Sequence, residues 1–139
     1  MKKFFFTFLL VMAIFATSSC SKDDTPNFHF VPLRIVSAEL PEFFSIDQTY
    51  QIRVTYSKPD ACTSFGGFDV TPKGVSARNV VVIGTKHYDD EACAQTVVEE
   101  TGSFNFRVAQ TETYLFRFWQ SEDADGNQEY FEVFVPVRQ

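Results

Sequence analysis

Histidine is scarce in this chain of 139 residues, and with it the arrangements that would make histidine catalytic. Of the two present, His29 falls in an N-terminal tether region and His87 is expected at a strand end. A Ser/His/Asp relay could use only His87, and no G-x-S-x-G elbow accompanies it. The expectation is a protein that is not an enzyme and carries no cofactor. Basic side chains are also in deficit, twelve Lys and Arg against eighteen Asp and Glu. A chain of net charge −6 repels phosphate backbones, which makes nucleic acid an unsuitable partner. No apolar run reaches the ~20 residues needed to cross a hydrocarbon core. From Val31 onward no eleven-residue stretch has a convincing helical period. Glycine and proline, six of each, stand against seventeen phenylalanines, the reverse of a disordered composition.

What is present is a large apolar fraction, 45% with 17% aromatic, enough for one compact domain and not for two. A multidomain enzyme is excluded. Lys2 and Lys3 precede an apolar run from Phe4 to Ala16, and Thr17, Ser18 and Ser19 lead into Cys20. This is the charged start, apolar middle and small-residue end of a secretory signal. With Lys2 and Lys3 removed, ten basic and eighteen acidic side chains remain, a net of −8.

The small residues ending in Cys20 resemble the bacterial lipobox, with Thr17 where that family usually carries Leu. The resemblance implies that Cys20 is diacylated and becomes the new N-terminus. Ser21-Lys22-Asp23-Asp24 resembles the surface-export signal of Bacteroidota lipoproteins, and more loosely the whole chain resembles the small lipoproteins of that group whose roles are uncharacterised. The implied location is the outer membrane, held by lipid on Cys20 and facing outward. The alternative for Lys22 to Asn27 is a plain polar tether. The expected organisation is a signal peptide over 1–19, the lipidated Cys and a flexible tether over 20–30, and one folded domain over 31–139.

That domain is expected to be all-β. Tyr50, Ile52, Val54 and Tyr56 alternate with Gln51, Arg53 and Thr55, and Phe104, Phe106 and Val108 alternate with Asn105 and Arg107, the pattern of half-buried strands. The apolar run Val80 to Ile83 reads as a strand covered on both sides or a short edge tucked under a loop. Leu33 to Ala38, beside Pro32 and Pro41, reads as a first strand at a sheet edge. Phe65 to Val70 and Gln95 to Glu99 are weaker candidates.

The C-terminal hairpin is the clearest local feature. If Asp123-Ala124-Asp125-Gly126 forms a four-residue loop, with Gly126 supplying a positive φ, Trp119 faces Tyr130, Arg117 faces Glu132 and Leu115 faces Phe134. On the other face Phe118 meets Phe131, Phe116 meets Val133 and Tyr114 meets Val135. One register gives aromatic, ionic and apolar pairs together, each contributing about 0.2 to 1 kcal/mol, and a one-residue slip loses that agreement. Glu112-Thr113-Tyr114-Leu115-Phe116 resembles the tyrosine corner of the immunoglobulin and fibronectin type III class. Phe116 stands where an antibody domain places its second core Cys. The resemblance implies a single antiparallel immunoglobulin-like β-sandwich of about seven strands and says little about function.

Cys62 and Cys93 are the cysteines left after Cys20, both in polar, loop-like sequence. In an exported chain such a pair is expected to be a disulfide; metal ligation with His87 lacks a fourth ligand. Asp89-Asp90-Glu91 and Glu99-Glu100 could supply paired carboxylates, but adjacent acids on a strand point to opposite faces and acids in loops are solvated. Asp123, Asp125 and Asn127 match the first oxygen ligands of an EF-hand loop. Gln128 then takes the Gly position and Phe134 that of the bidentate Glu, so a turn explains them better than a weak calcium site.

The outward face of the hairpin is the candidate binding surface: Trp119, Tyr130, Leu115 and Phe134 around the Arg117/Glu132 pair. Exposed aromatic patches mark contacts with sugars or proteins, unless a neighbouring strand, the Thr71 to Ala77 loop or the tether covers them. The leading functional expectation is a lipid-anchored, non-enzymatic surface module binding a glycan or an envelope protein. The other is a structural subunit burying that face in an outer-membrane envelope complex.

Overall fold

The computed structural model describes residues 26–88 and 92–139; the signal segment, Cys20 and Asp89-Asp90-Glu91 lie outside the described residues. The strands are β1 (Phe28–Glu39), β2 (Phe44–Ser45), β3 (Thr49–Lys58), β4 (Ser64–Pro72), β5 (Ala77–His87), β6 (Val98–Arg107), β7 (Tyr114–Glu122), β8 (Gln128–Val135) and β9 (Val137–Arg138), with no helix among the described residues. This is the expected all-β, immunoglobulin-like sandwich.

One layer runs β6-β3-β1 and the other β4-β5-β7-β8, joined because β1 belongs to both. Phe28 to Leu33 pair with β5, and Arg34 to Glu39 pair with β3 across a bulge between Ile35 and Ser37. The alternation in β3 sets the inner face: Ile52 and Val54 are fully buried and Tyr56 nearly so. From the other layer Val80, Val82, Phe116 and Phe118 meet them, all without exposure. Contacts across the gap are aromatic, with Tyr56 stacked on Phe65 at 5.3 Å and Phe68 against Phe104 at 5.3 Å.

Tyr114 makes the corner its sequence context predicts. Its buried hydroxyl accepts hydrogen bonds from the backbone N–H of Ala109 (3.1 Å) and Gln110 (3.0 Å). Phe116 takes the core position without a cysteine, packing on Phe106 at 5.0 Å and stacking with Phe118 at 6.1 Å.

Several boundaries differ from the expectation. The domain starts at Phe28, not Val31, because Phe28, His29 and Phe30 already pair with His87, Lys86 and Thr85; His29 is therefore a strand residue and not part of the tether. β1 is an interior strand. Pro32 is tolerated there because it sits on the stretch with β5 as its only partner, just before pairing passes to β3. Val80 to Ile83 is the centre of β5, with β4 on one side and β1 and β7 on the other, and the region Gln95 to Glu99 becomes strand only from Val98. Two short ladders, β5 with β7 and β2 with β9, are parallel within the otherwise antiparallel fold.

All six hairpin pairs from Tyr114/Val135 to Trp119/Tyr130 occur in the expected register. Beyond them a bulge at Gln120 shifts the pairing to Ser121/Glu129 and Glu122/Gln128. The connection is therefore five residues, Asp123 to Asn127, closed by Asp123 N–H to Asn127 O at 2.9 Å, with Gly126 at φ 84°.

Candidate functional site

Alternation along β7 and β8 sends Phe116, Phe118 and Val135 into the core and leaves Leu115, Arg117, Trp119, Tyr130, Glu132 and Phe134 on the outer face of the β4-β5-β7-β8 layer. The six residues are together, as the hairpin register requires. At the centre Arg117 Nε donates to Glu132 Oε1 at 3.1 Å, and the guanidinium lies 4.5 Å from the Tyr130 ring centroid. One cation thus serves a carboxylate and a π-face. Trp119 Nε1 donates to Gln128 Oε1 at 2.6 Å, which fixes the indole in orientation while its ring stays half-buried. Phe134 is 64% exposed. The β4-β5 connection is a tight turn in which Lys73 N–H reaches Ala77 O at 2.9 Å; it borders the face at Leu115, whose N–H donates to Ser76 O at 3.1 Å.

Two further features of this face come from strands distant in sequence. Asn79 of β5 is the register partner of Arg117; it is only 8% exposed, and its Oδ1 is buried without a hydrogen-bond partner. Such a group costs about 1 to 3 kcal/mol of unrecovered solvation. The second feature is a pair of shallow hollows. One, of about 260 Å³, is walled by Trp119, Pro32, Arg34, Ser57, Pro59 and Val97. The other, of about 320 Å³, is formed by Phe30, Gly66, Gly67, Phe68, Asp69 and Ile83. Gly67 can line it because the β4 bulge puts its φ at 138°, a conformation that side chains rarely adopt. None of these partners was legible from local pattern, because a parallel β5-β7 ladder and a strand shared between layers leave no short-range signal.

At the end of the sandwich where β3 leads into β4, Cys62 and Cys93 form the expected disulfide, with Cα atoms 5.6 Å apart. This removes the alternative of metal ligation with His87, which ends β5 against Phe28. Beside the disulfide Asp60 is buried and held by Lys86 Nζ (2.7 Å), Thr63 Oγ1 (2.8 Å) and Cys62 N–H (3.0 Å). The Lys86 hydrogen bond, with that of Thr63 next, lowers its carboxyl to about 2. A depressed carboxyl contributes stability above its unfolded value near 3.9 and loses it as pH falls through the folded value. The melting temperature of the wild type should therefore drop more steeply between about pH 4 and pH 2 than that of Asp60→Asn. Equal slopes in thermal melts across that window would refute the coupling.

Two of the other acids, Glu100 and Asp123, have structural partners. Glu100 accepts from Lys58 at 2.5 Å, which lowers its pKa, and from the Tyr56 hydroxyl at 3.2 Å. Burial first, then the Glu100 charge, push the Tyr56 phenol up to about 12. Asp123 accepts from Asn127 Nδ2 (2.9 Å) and from the backbone N–H of Asn127 (2.8 Å) and Asp125 (2.9 Å). These bonds, that of the Asn127 side chain foremost, hold its carboxyl low. Both Asp123 oxygens thus serve the turn, and no cluster of three His, Cys, Asp or Glu suited to a metal occurs among the described residues.

No protein-family model matches the chain, and comparison with curated proteins and with solved structures finds no match. The functional reading therefore rests on the face itself.

Proposed function

We propose that the chain is a lipid-anchored, non-enzymatic binding module of the outer-membrane surface, held by acyl chains on Cys20 and presenting the β7-β8 face to a glycan or protein ligand. The observation that carries this reading is that face: Trp119, Tyr130, Leu115 and Phe134 around the Arg117–Glu132 pair on the outer side of the sheet, with Phe134 exposed and Trp119, Tyr130 and Leu115 half-buried. The disulfide supports an oxidising compartment. A second reading, a structural subunit of an envelope complex, draws on the exposure of Phe30 (67%), Val97 (65%) and Phe134 (64%), a scatter of apolar surface that a permanent partner would cover.

Two measurements test the proposal. Cys20→Ala should move the protein from the membrane pellet to the soluble fraction, since acyl chains contribute about 0.8 kcal/mol per buried methylene; unchanged partition would remove the anchor. Trp119 fluorescence should be quenched by iodide in the isolated chain, and Trp119→Ala should lower stability by well under the 3 to 5 kcal/mol typical of a core tryptophan. An indole shielded from iodide, with a mutant that melts far earlier, would remove the face as a binding surface.

A further inference from the structure

We propose that the end of the sandwich where the chain enters the domain rests on the anchoring membrane, with Phe30 and Tyr88 seated at the headgroup level of a zwitterionic phospholipid surface. The inference rests on the lipid anchor proposed above and adds the orientation in which the anchored domain stands. Phe28, the eighth residue after Cys20, opens β1 opposite His87, and the Tyr88 N–H donates to Asn27 O at 3.2 Å. The entry point and the end of β5 are therefore one place. Five rings gather there: Phe28 lies 5.5 Å from Phe30 and 6.1 Å from His87, and His29 lies 5.0 Å from Tyr88. Phe30 is 67% and Tyr88 64% exposed, which leaves two large rings of the group to the solvent.

Distance from the anchor selects the occupant. Eight residues span at most about 29 Å even when fully extended, less than the roughly 33 Å from end to end of the eleven-residue β5. An acylated Cys20 thus keeps this end within reach of its own leaflet in every arrangement of the tether. Phe134 makes the contrast, since it is as exposed as Tyr88 but stands at the other end of the same layer. It pairs with Leu115, the partner of Ala77, whereas Phe30 pairs with Thr85. Eight residues of β5, roughly 26 Å, separate their levels. Docking by the entry end leaves the Phe134 end of the β7-β8 face farthest from the lipid.

The chemistry of the two rings suits a boundary between lipid and water. Phenylalanine is wholly apolar, and tyrosine joins an apolar ring to a hydroxyl that stays hydrated, the combination enriched at headgroup level. A second protein chain fits less well: two such side chains bury at most about 500 Å², below the ~800 Å² per partner of a stable interface. A tethered surface needs no such area, because its effective concentration is of millimolar order. Charge selects zwitterionic over anionic lipid. Lys86 and Lys58 are held by Asp60 and Glu100. Arg34 stands four residues along β1 from Phe30, and against it Asp89-Asp90-Glu91 follow Tyr88 in the sequence. The attraction is apolar, and salt does not screen it.

The test uses the lipidated chain in phosphatidylcholine vesicles, with and without brominated acyl chains. In a Trp119→Phe background, Phe30→Trp and Phe134→Trp put one indole at each end of the layer. The Phe30→Trp reporter should lose about half of its emission to brominated lipid, being at the depth that interfacial aromatics take, and should be shielded from iodide, in low and high salt alike. The Phe134→Trp reporter should keep its emission and its access to iodide. Tyr88→Ser added to the first reporter should reduce the loss, with the melting temperature nearly unchanged because the ring is exposed. Equal behaviour of the two reporters, no effect of Tyr88→Ser, or release of the quenching by salt overturns the inference. Shielding of the Phe30→Trp indole in the Cys20→Ala chain, free of lipid, would assign the rings to a second copy and overturn it too. If Cys20→Ala becomes soluble while the Phe30→Trp reporter of the lipidated chain stays unquenched, the docking falls and the anchor stands; if partition is unchanged by Cys20→Ala, both fall.

Discussion

Replacing Phe44 by alanine is expected to lower the unfolding free energy by about 3 to 5 kcal/mol and the melting temperature by on the order of 15 °C. Phe44 has no exposure although it belongs to a strand of two residues. Its backbone N–H donates to Pro136 O at 2.8 Å, and the parallel bridge to Val137 and Arg138 holds the segment across the end of the sandwich. From there its ring meets Tyr50 at 4.9 Å, Phe106 at 5.7 Å, Tyr114 at 5.8 Å and Phe116 at 6.0 Å. Truncation leaves four rings facing a void, two of them fixed by bonds that prevent collapse: Tyr114 by its corner and Tyr50 by its hydroxyl to Ser45 N–H at 2.9 Å. The neighbouring Phe43, half-buried beneath the Arg138 guanidinium, should cost clearly less. Urea unfolding of the two variants checks this, and comparable losses would mean that Phe44 does not close the core.

The same pair of phenylalanines marks where local pattern stops being informative. Phe43 and Phe44 are identical and adjacent, outside any alternating run, and only the β2-β9 bridge decides which ring points inward. The β7-β8 hairpin was readable because its partners lie within about twenty residues, so one turn and one set of cross-strand pairs fix the register. Even there, the bulge at Gln120 lengthened the loop by a residue, since Ser121 can bond the Glu129 carboxylate and Gln128 the Glu122 carboxylate in the shifted pairing. The β5-β7 ladder joins residues that are 38 apart in the chain. Nothing near Asn79 announces Arg117 as its neighbour, so the six candidate residues on the hairpin were legible while the orphan amide and both hollows were not. β1 departs from the edge position that its prolines signal for a related reason: the changeover of partner at Leu33 and Arg34, which makes Pro32 harmless, is a property of three strands at once.

Reducing the Cys62–Cys93 disulfide is expected to lower stability by about 3 to 4 kcal/mol in the chain-entropy model, given the 31-residue separation. Thiol titration of the unfolded, unreduced Cys20→Ala chain should find no free thiol, and urea midpoints with and without reductant should differ accordingly. Coincident midpoints would leave the bond without a stabilising role. What the bond holds is the connection between layers: Cys62 lies between β3 and β4, Cys93 between β5 and β6, and Ala61 N–H to Ala94 O at 3.1 Å is the backbone contact beside it. Both connections also reach the candidate site. Pro59, three residues before Cys62, and Val97, four after Cys93, wall the hollow beside Trp119. Asp60, anchored by Lys86, keeps the first connection in place after reduction, whereas the second has its backbone bond to Ala61 there. Under conditions where the reduced chain remains folded, the Val97 side of the hollow should therefore loosen first. Iodide quenching of Trp119 should then increase before the core unfolds.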